Sequence, residues 1–274
     1  MVSEVPSKPT EPTPNPEIND LLQALLTEVQ ALLGEGLVGL YVHGSLASGD
    51  FAPLRSDVDF VAATREALPA SLLPQLAAMH ARLRGSNLKW AAKLEGSYIP
   101  LAALRRYDPA NCRHPALRID GSFDVDEHGS DWVIQQHILR EHGIALMGSP
   151  PAHTLIDPIE PAALRQAAWG ILDTWWRAKL DDPALLRSSE YQAYAVLTMC
   201  RALYTLQYGR VTSKKAAAGW AQERLESRWS ALIERALAWA TGELWDCLDE
   251  TLAFIAYTLQ AGSQSIRSQD SAVK

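Results

Sequence analysis

The stretch Val42–Phe60, VHGSLASGDFAPLRSDVDF, decides how the chain is read. It opens at the end of an apolar run, LVGLYVH (Leu37–His43), whose length and β-prone residues read as a buried strand. Gly44 and Ser45 follow at the strand's end. A loop containing Gly49 and Pro53 leads to a second strand, DVDFVAA, over Asp57–Ala63. Residues two apart on a strand project from the same face, so Asp57 and Asp59 point together. Two such carboxylates suit a hard divalent cation that keeps open positions for phosphate oxygens. Gly44 has no side chain, so backbone N–H groups there can approach a phosphate, and Ser45 adds a hydroxyl. Ser56, beside the acids, is a further candidate phosphate contact. His43 at the strand end is read as a packing residue.

Outward from this motif, leucines at helical spacing mark a helix over Asp20–Leu33, capped by Asn19 and ended by Gly34 and Gly36. Helical pattern returns over Pro69–Leu83. A third strand is expected over Leu88–Ile99, where Lys93, Glu95 and Ser97 alternate with Leu94 and Tyr98. From Pro161 to Gln260 the segments are long, rich in Ala, Leu and Trp, and broken at Asp182-Pro183, Gly209 and Gly242. The acids Asp124, Asp126, Glu127 and Asp131 read as a solvated loop. Four segments follow: a disordered tail over 1–16, an α/β domain over 17–158, a helical domain over 159–262 and a frayed tail over 263–274.

Composition narrows the function classes. With 25 Lys+Arg against 32 Asp+Glu, the net charge of −7 argues against a nucleic-acid partner. The three cysteines are far apart and show no metal spacing, so they read as small apolar residues in a reducing compartment. The Pro-rich start, Met1–Pro16, has no apolar core of a signal peptide, and no apolar run reaches a membrane span. A cytoplasmic monomer is expected.

The ordered set of Gly-Ser, a spacer of about ten residues and Asp-x-Asp on the next strand resembles the nucleotidyltransferase superfamily that includes DNA polymerase β. Two further stretches, REHGIALMGSPP (Arg140–Pro151) and VLTMCRALYTLQYGRVTSKKAAAGWAQERL (Val196–Leu225), are similar to the streptomycin/spectinomycin adenylyltransferases. That resemblance implies an α/β nucleotidyltransferase domain with a mixed sheet, followed by a C-terminal α-helical bundle. It implies transfer of AMP from ATP to a hydroxyl of an aminoglycoside-type antibiotic, with spectinomycin or streptomycin as first guesses, conferring resistance. Asp57 and Asp59 would hold magnesium, two ions in all, with Glu95 as third ligand and general base. Arg201 and Lys214 would reach the triphosphate, although Lys215 stands where the family usually has an acid. A small cationic acceptor needs carboxylates and flat rings, which makes Glu190, Asp182 and Trp176 candidate contacts. Adjacent tryptophans on one helix cannot both be fully buried, so one of Trp175 and Trp176 is expected to face outward. Two alternatives stay open: the same fold acting on another small hydroxyl acceptor, or a non-catalytic nucleotide-binding regulator.

Overall fold

The computed structural model describes residues 11–53, 55–149, 155–240 and 242–272. Helix α1 (Pro16–Leu33) starts earlier than its leucines alone imply. Asn15, not Asn19, caps it by accepting the N–H groups of Glu17 and Ile18, and Pro16 occupies the first turn. The side chain of Asn19 instead turns back onto Thr13, accepting from its N–H and hydroxyl and donating to its carbonyl. Thr13 is therefore buried, and residues 11–15 are folded onto the helix. The expected disordered tail is corrected there; residues 1–10 lie outside the described residues.

Strand β1 (Leu37–Val42) leads through the single turn α2 (Gly44–Ala47) to β2 (Val58–Thr64). After α3 (Leu73–Arg84) comes β3 (Leu94–Pro100), shorter than expected because Ala91–Lys93 closes into a 3-10 turn before it. A short helix α4 (Leu101–Arg105) precedes the hairpin β4 (Arg113–Leu117) and β5 (Phe123–Glu127), then α5 (Asp131–His142) and β6 (Ile144–Met147). The six strands lie in the order β5-β4-β3-β2-β1-β6. Only β2 and β3 run parallel, so the sheet is mixed as expected. Asp124, Asp126 and Glu127 belong to β5, an edge strand rather than a loop, and Asp126 is bound by Arg118. Alternating charges along an outermost strand blunt its free edge.

Each face of the sheet has its own core. One packs Val42, Phe60, Leu94 and Tyr98 against α1 and α3. The other packs Tyr41, Val61 and Ile99 against α4 and α5 through Leu104, Trp132 and Leu139. By strand alternation Asp59 shares the second face with Val61, and Glu95 shares it with Ile99.

The remaining chain is helical. Helix α6 (Pro161–Ile171) runs through a π turn (Leu172–Trp176) into α7 (Arg177–Asp181). Helix α8 (Ser189–Tyr208) is the hub, with α9 (Lys214–Arg224), α10 (Ser230–Ala238) and α11 (Leu248–Ala272) packed around it. Ala195, Val196, Met199 and Cys200 of α8 are completely buried. Helix α11 carries on through the polar C-terminal stretch to Ala272, where a frayed tail was expected. Among the described residues no helix is long and apolar enough to cross a membrane.

Gly96 shows how tightly the central strands meet. In the parallel register it lies beside Phe60, and a Cβ on it would fall 2.2 Å from the Phe60 carbonyl oxygen. Gly96→Ala must therefore push β2 and β3 apart. We expect a loss of about 1–3 kcal/mol of stability, measured as a lower urea midpoint with an unchanged slope.

Candidate active site

Backbone register assembles the carboxylates. Parallel pairing sets Asp59 directly beside Glu95, and Asp57 sits just before the first residue of β2. The N–H of His43 donates to the Asp59 carbonyl (3.0 Å), which brings the Gly44 turn against the same strand end. Gly44 has φ +64°, and a Cβ there would lie 2.0 Å from Asp59 Oδ2. Both the left-handed backbone and the lack of a side chain are thus required beneath the Asp59 carboxylate.

The three acids are not equivalent. Asp57 accepts an ion pair from Lys93 Nζ at 3.2 Å. Asp59 and Glu95 hydrogen-bond each other and hold raised pKa values, Asp59 at about 6 and Glu95 at about 8. Burial is the main cause for both. For Glu95 the negative charge of Asp59 comes next, while Lys93 pulls the other way. Asp57 raises Asp59 and Lys214 lowers it. Two carboxylates this close cannot both ionise cheaply, so they share a proton when no cation is near.

Lys214 brings the helical half into the site. It is the first residue of α9, and it is half-buried while the adjacent Lys215 is exposed. Its pKa is lowered by burial and by Arg201, and pulled back up by Asp50, Asp57 and Asp59. The ammonium lies 5.1 Å from the ring centre of Tyr194, which is 43% exposed. Arg201, on α8, is deeply placed; burial lowers its pKa, and Tyr194 and Asp50 oppose that shift. A cleft thus carries carboxylates on the sheet side and two cations on the helical side.

Other expected residues take different places. Ser45 lies in the α2 turn, its carbonyl accepting the N–H of Asp50. Ser56 Oγ accepts the N–H of Ala52 at 3.0 Å, so this oxygen closes its own loop. His43 is buried and hydrogen-bonded to Gln135 of α5, with its pKa lowered by burial to about 4; it is a neutral packing residue. Asp182 is exposed and accepts the N–H of Ala184, a local turn contact. Trp176 is corrected as a surface contact: it is 1% exposed, in the helical core. Its neighbour Trp175 is 49% exposed under the Lys179 ammonium. Glu190 is exposed on the first turn of α8, near the packed rings of Tyr191 and Tyr194. Sequence reasoning did not single out Lys93 or Asp50 for the site. Lys93 was legible, since it alternates in phase with Glu95; Asp50 had no local signal.

The donor set fits a magnesium–nucleotide complex. Among the described residues no three acidic, His or Cys side chains close into a ready cage. Magnesium takes one or two carboxylates plus phosphate oxygens rather than an all-protein cage. The oxygens of Asp57 and Asp59 on one strand end match that requirement.

Residues 154–261 match the family model described as the aminoglycoside adenylyltransferase C-terminal domain. An aminoglycoside (3'') (9) adenylyltransferase of Escherichia coli is 25% identical over 261 residues, covering 88% of this chain and 93% of the relative. Its counterpart in Shigella flexneri is 25% identical over 233 residues, covering 79% and 83%. In fold, the chain is similar to a spectinomycin adenyltransferase from Enterococcus whose crystal structure contains ATP and spectinomycin. The TM-score is 0.67 at 16% identity, over 89% of this chain and 98% of that one.

The raised carboxylates make stability depend on pH. Between its ordinary value and its folded value such an acid is protonated in the folded chain and ionised in the unfolded one. Folding then takes up a proton, and stability falls as pH rises. For Glu95 the window runs from 4.5 to about 8, and for Asp59 from 3.8 to about 6. In chelator, thermal melts should show a midpoint that declines from pH 6 to pH 8. Glu95→Gln should flatten that decline; an equally steep slope in the variant would refute the assignment.

Proposed function

We infer that this chain, a member of the aminoglycoside adenylyltransferase family, transfers AMP from ATP to a hydroxyl of an aminoglycoside-type antibiotic and thereby confers resistance. The observation that carries the reading is the register that sets Glu95 beside Asp59, with Asp57 at the same strand end and Lys214 facing them. Asp57 and Asp59 would hold magnesium together with the triphosphate, and Glu95 would serve as a third ligand. When bound, the metal neutralises charge between phosphate and carboxylate oxygens.

Glu95 performs the proton transfer. Its carboxylate accepts the proton of the acceptor hydroxyl as that oxygen bonds to the α-phosphorus. The bond from the α-phosphorus to the bridging oxygen breaks, and pyrophosphate leaves with that electron pair. The place of Glu95 beside Asp59 at the same strand end sets its carboxylate where it can take that hydroxyl proton. Lys214 and Arg201 bind the triphosphate and stabilise the charge that collects on pyrophosphate. The short backbone turn at Gly44–Ser45 holds the phosphates against the acids.

The acceptor sits between Glu95 and the aromatic surface of the helical half, where Tyr191, Tyr194 and Glu190 offer flat faces and negative charge to a cationic sugar. Spectinomycin and streptomycin are the first acceptors to try. The cytoplasm, where ATP and magnesium are plentiful, is the compartment assigned.

The test is a mass-spectrometric assay with ATP, magnesium and a panel of aminoglycosides. An acceptor gaining the mass of AMP is expected. Glu95→Gln should slow transfer by about 10²–10⁴-fold, and Asp59→Asn should remove it. Transfer at the wild-type rate in Asp59→Asn overturns the metal-site reading. ATP binding without an adduct on any drug removes the antibiotic and leaves another hydroxyl acceptor.

A further inference from the structure

The loop that separates the Gly44–Ser45 turn from Asp57 is pinned to the helical half at two points. Asp50 Oδ2 accepts the backbone N–H of Lys214 at 3.1 Å, across 164 residues of sequence. Arg55 donates from a guanidinium nitrogen to the Leu237 carbonyl at 3.1 Å, and its guanidinium lies 5.7 Å from the ring centre of Trp239. Both anchors belong to the segment whose two ends carry the phosphate turn and the metal acids.

The first anchor reaches the residue that faces the acids. The opening N–H groups of a helix have no partner inside it. In α9 the Ser213 hydroxyl takes the N–H of Ala216, so the helix caps itself at one donor. The N–H of Lys214 is taken by a carboxylate from the other half of the molecule. An anion is favoured at that end of a helix, which strengthens the contact. The same carboxylate is close enough to act on the Lys214 ammonium and the Arg201 guanidinium.

We propose that Asp50 is a positioning residue: by accepting the Lys214 N–H it fixes the start of α9 to the phosphate loop and so holds the Lys214 side chain over Asp57 and Asp59. Asp50 does not touch the reacting atoms. It ties the place of the Lys214 ammonium relative to the carboxylates of the other half to this hydrogen bond. The proposal rests on the reading of the cleft as an ATP site.

Asp50→Ala and Asp50→Asn in the full chain separate the hydrogen bond from the rest. Asparagine keeps a side-chain oxygen that accepts the same N–H, and alanine does not. Without nucleotide, acetylation of Lys214 by an N-hydroxysuccinimide acetate is followed by peptide mass spectrometry, with exposed Lys89 and Lys215 as internal references. With ATP, magnesium and the acceptor found above, KM for ATP and kcat are measured. Asp50→Ala should label Lys214 several-fold faster at unchanged reference rates and raise KM about tenfold, with a smaller change in kcat. Asp50→Asn should restore both. Unchanged labelling and KM in Asp50→Ala overturn the proposal. So does an asparagine variant that matches alanine, or a loss that accelerates all lysines together, as simple unfolding would. If the chain transfers AMP to nothing, the function falls, and the nucleotide-free labelling still decides the role of Asp50.

Discussion

Carboxylates on neighbouring parallel strands repel each other, and that repulsion organises the site. Two unit charges about 4 Å apart in a protein cleft interact by roughly 4 kcal/mol. The pairing of Asp59 with Glu95 therefore stands only with a shared proton or a nearby cation. The chain supplies cations from two directions. Lys93 meets Asp57 from the 3-10 turn that precedes β3, and Lys214 approaches from the helical half. Gly44 completes the arrangement, since any side chain at its position would occupy the space of the Asp59 carboxylate. A site that is electrostatically incomplete by itself is well suited to a ligand that brings both metal and phosphate.

The two halves contribute different kinds of rigidity. In the sheet, register sets the acids to within one residue, because a slip of one position would turn each side chain to the opposite face. In the helical half, α8 is buried along most of its length, so Arg201 is held by a packed core. Lys214 opens α9, a helix held in the same core by Ala217, Ala218 and Ala221, but it stands at that helix's first turn. Its place depends on contacts that cross from one half to the other. Precision thus runs from the sheet through the core of the bundle and is weakest at the cleft itself.

The aromatic residues follow the same logic. The π turn at Leu172–Trp176 separates two adjacent tryptophans, one sealed in the core and one on the surface. Tyr191 and Tyr194 then pack their rings against buried Trp176 while Tyr194 keeps a face open. A rigid backing leaves the exposed ring little side-chain entropy to lose on binding.

Local chemistry in the sequence determined a good deal. The apolar runs and glycine placement around Val42–Phe60 marked the two strands and the turn between them, although Asp57, expected to open the second strand, sits just before its first residue. The phase of Lys93, Glu95 and Ser97 gave a third strand with its acid on one face, although its start came out six residues early because Ala91–Lys93 closes a 3-10 turn. Helical spacing marked the second half. What tertiary structure decided was everything that depends on partners distant in sequence. Which of Trp175 and Trp176 is buried, which of Lys214 and Lys215 faces the acids, and the folding of Thr13 onto Asn19 all follow from packing. Asp50 is the clearest case: an acid in a polar loop looks the same whether it meets water or the N–H of a helix 164 residues away, and only the assembled cleft tells them apart.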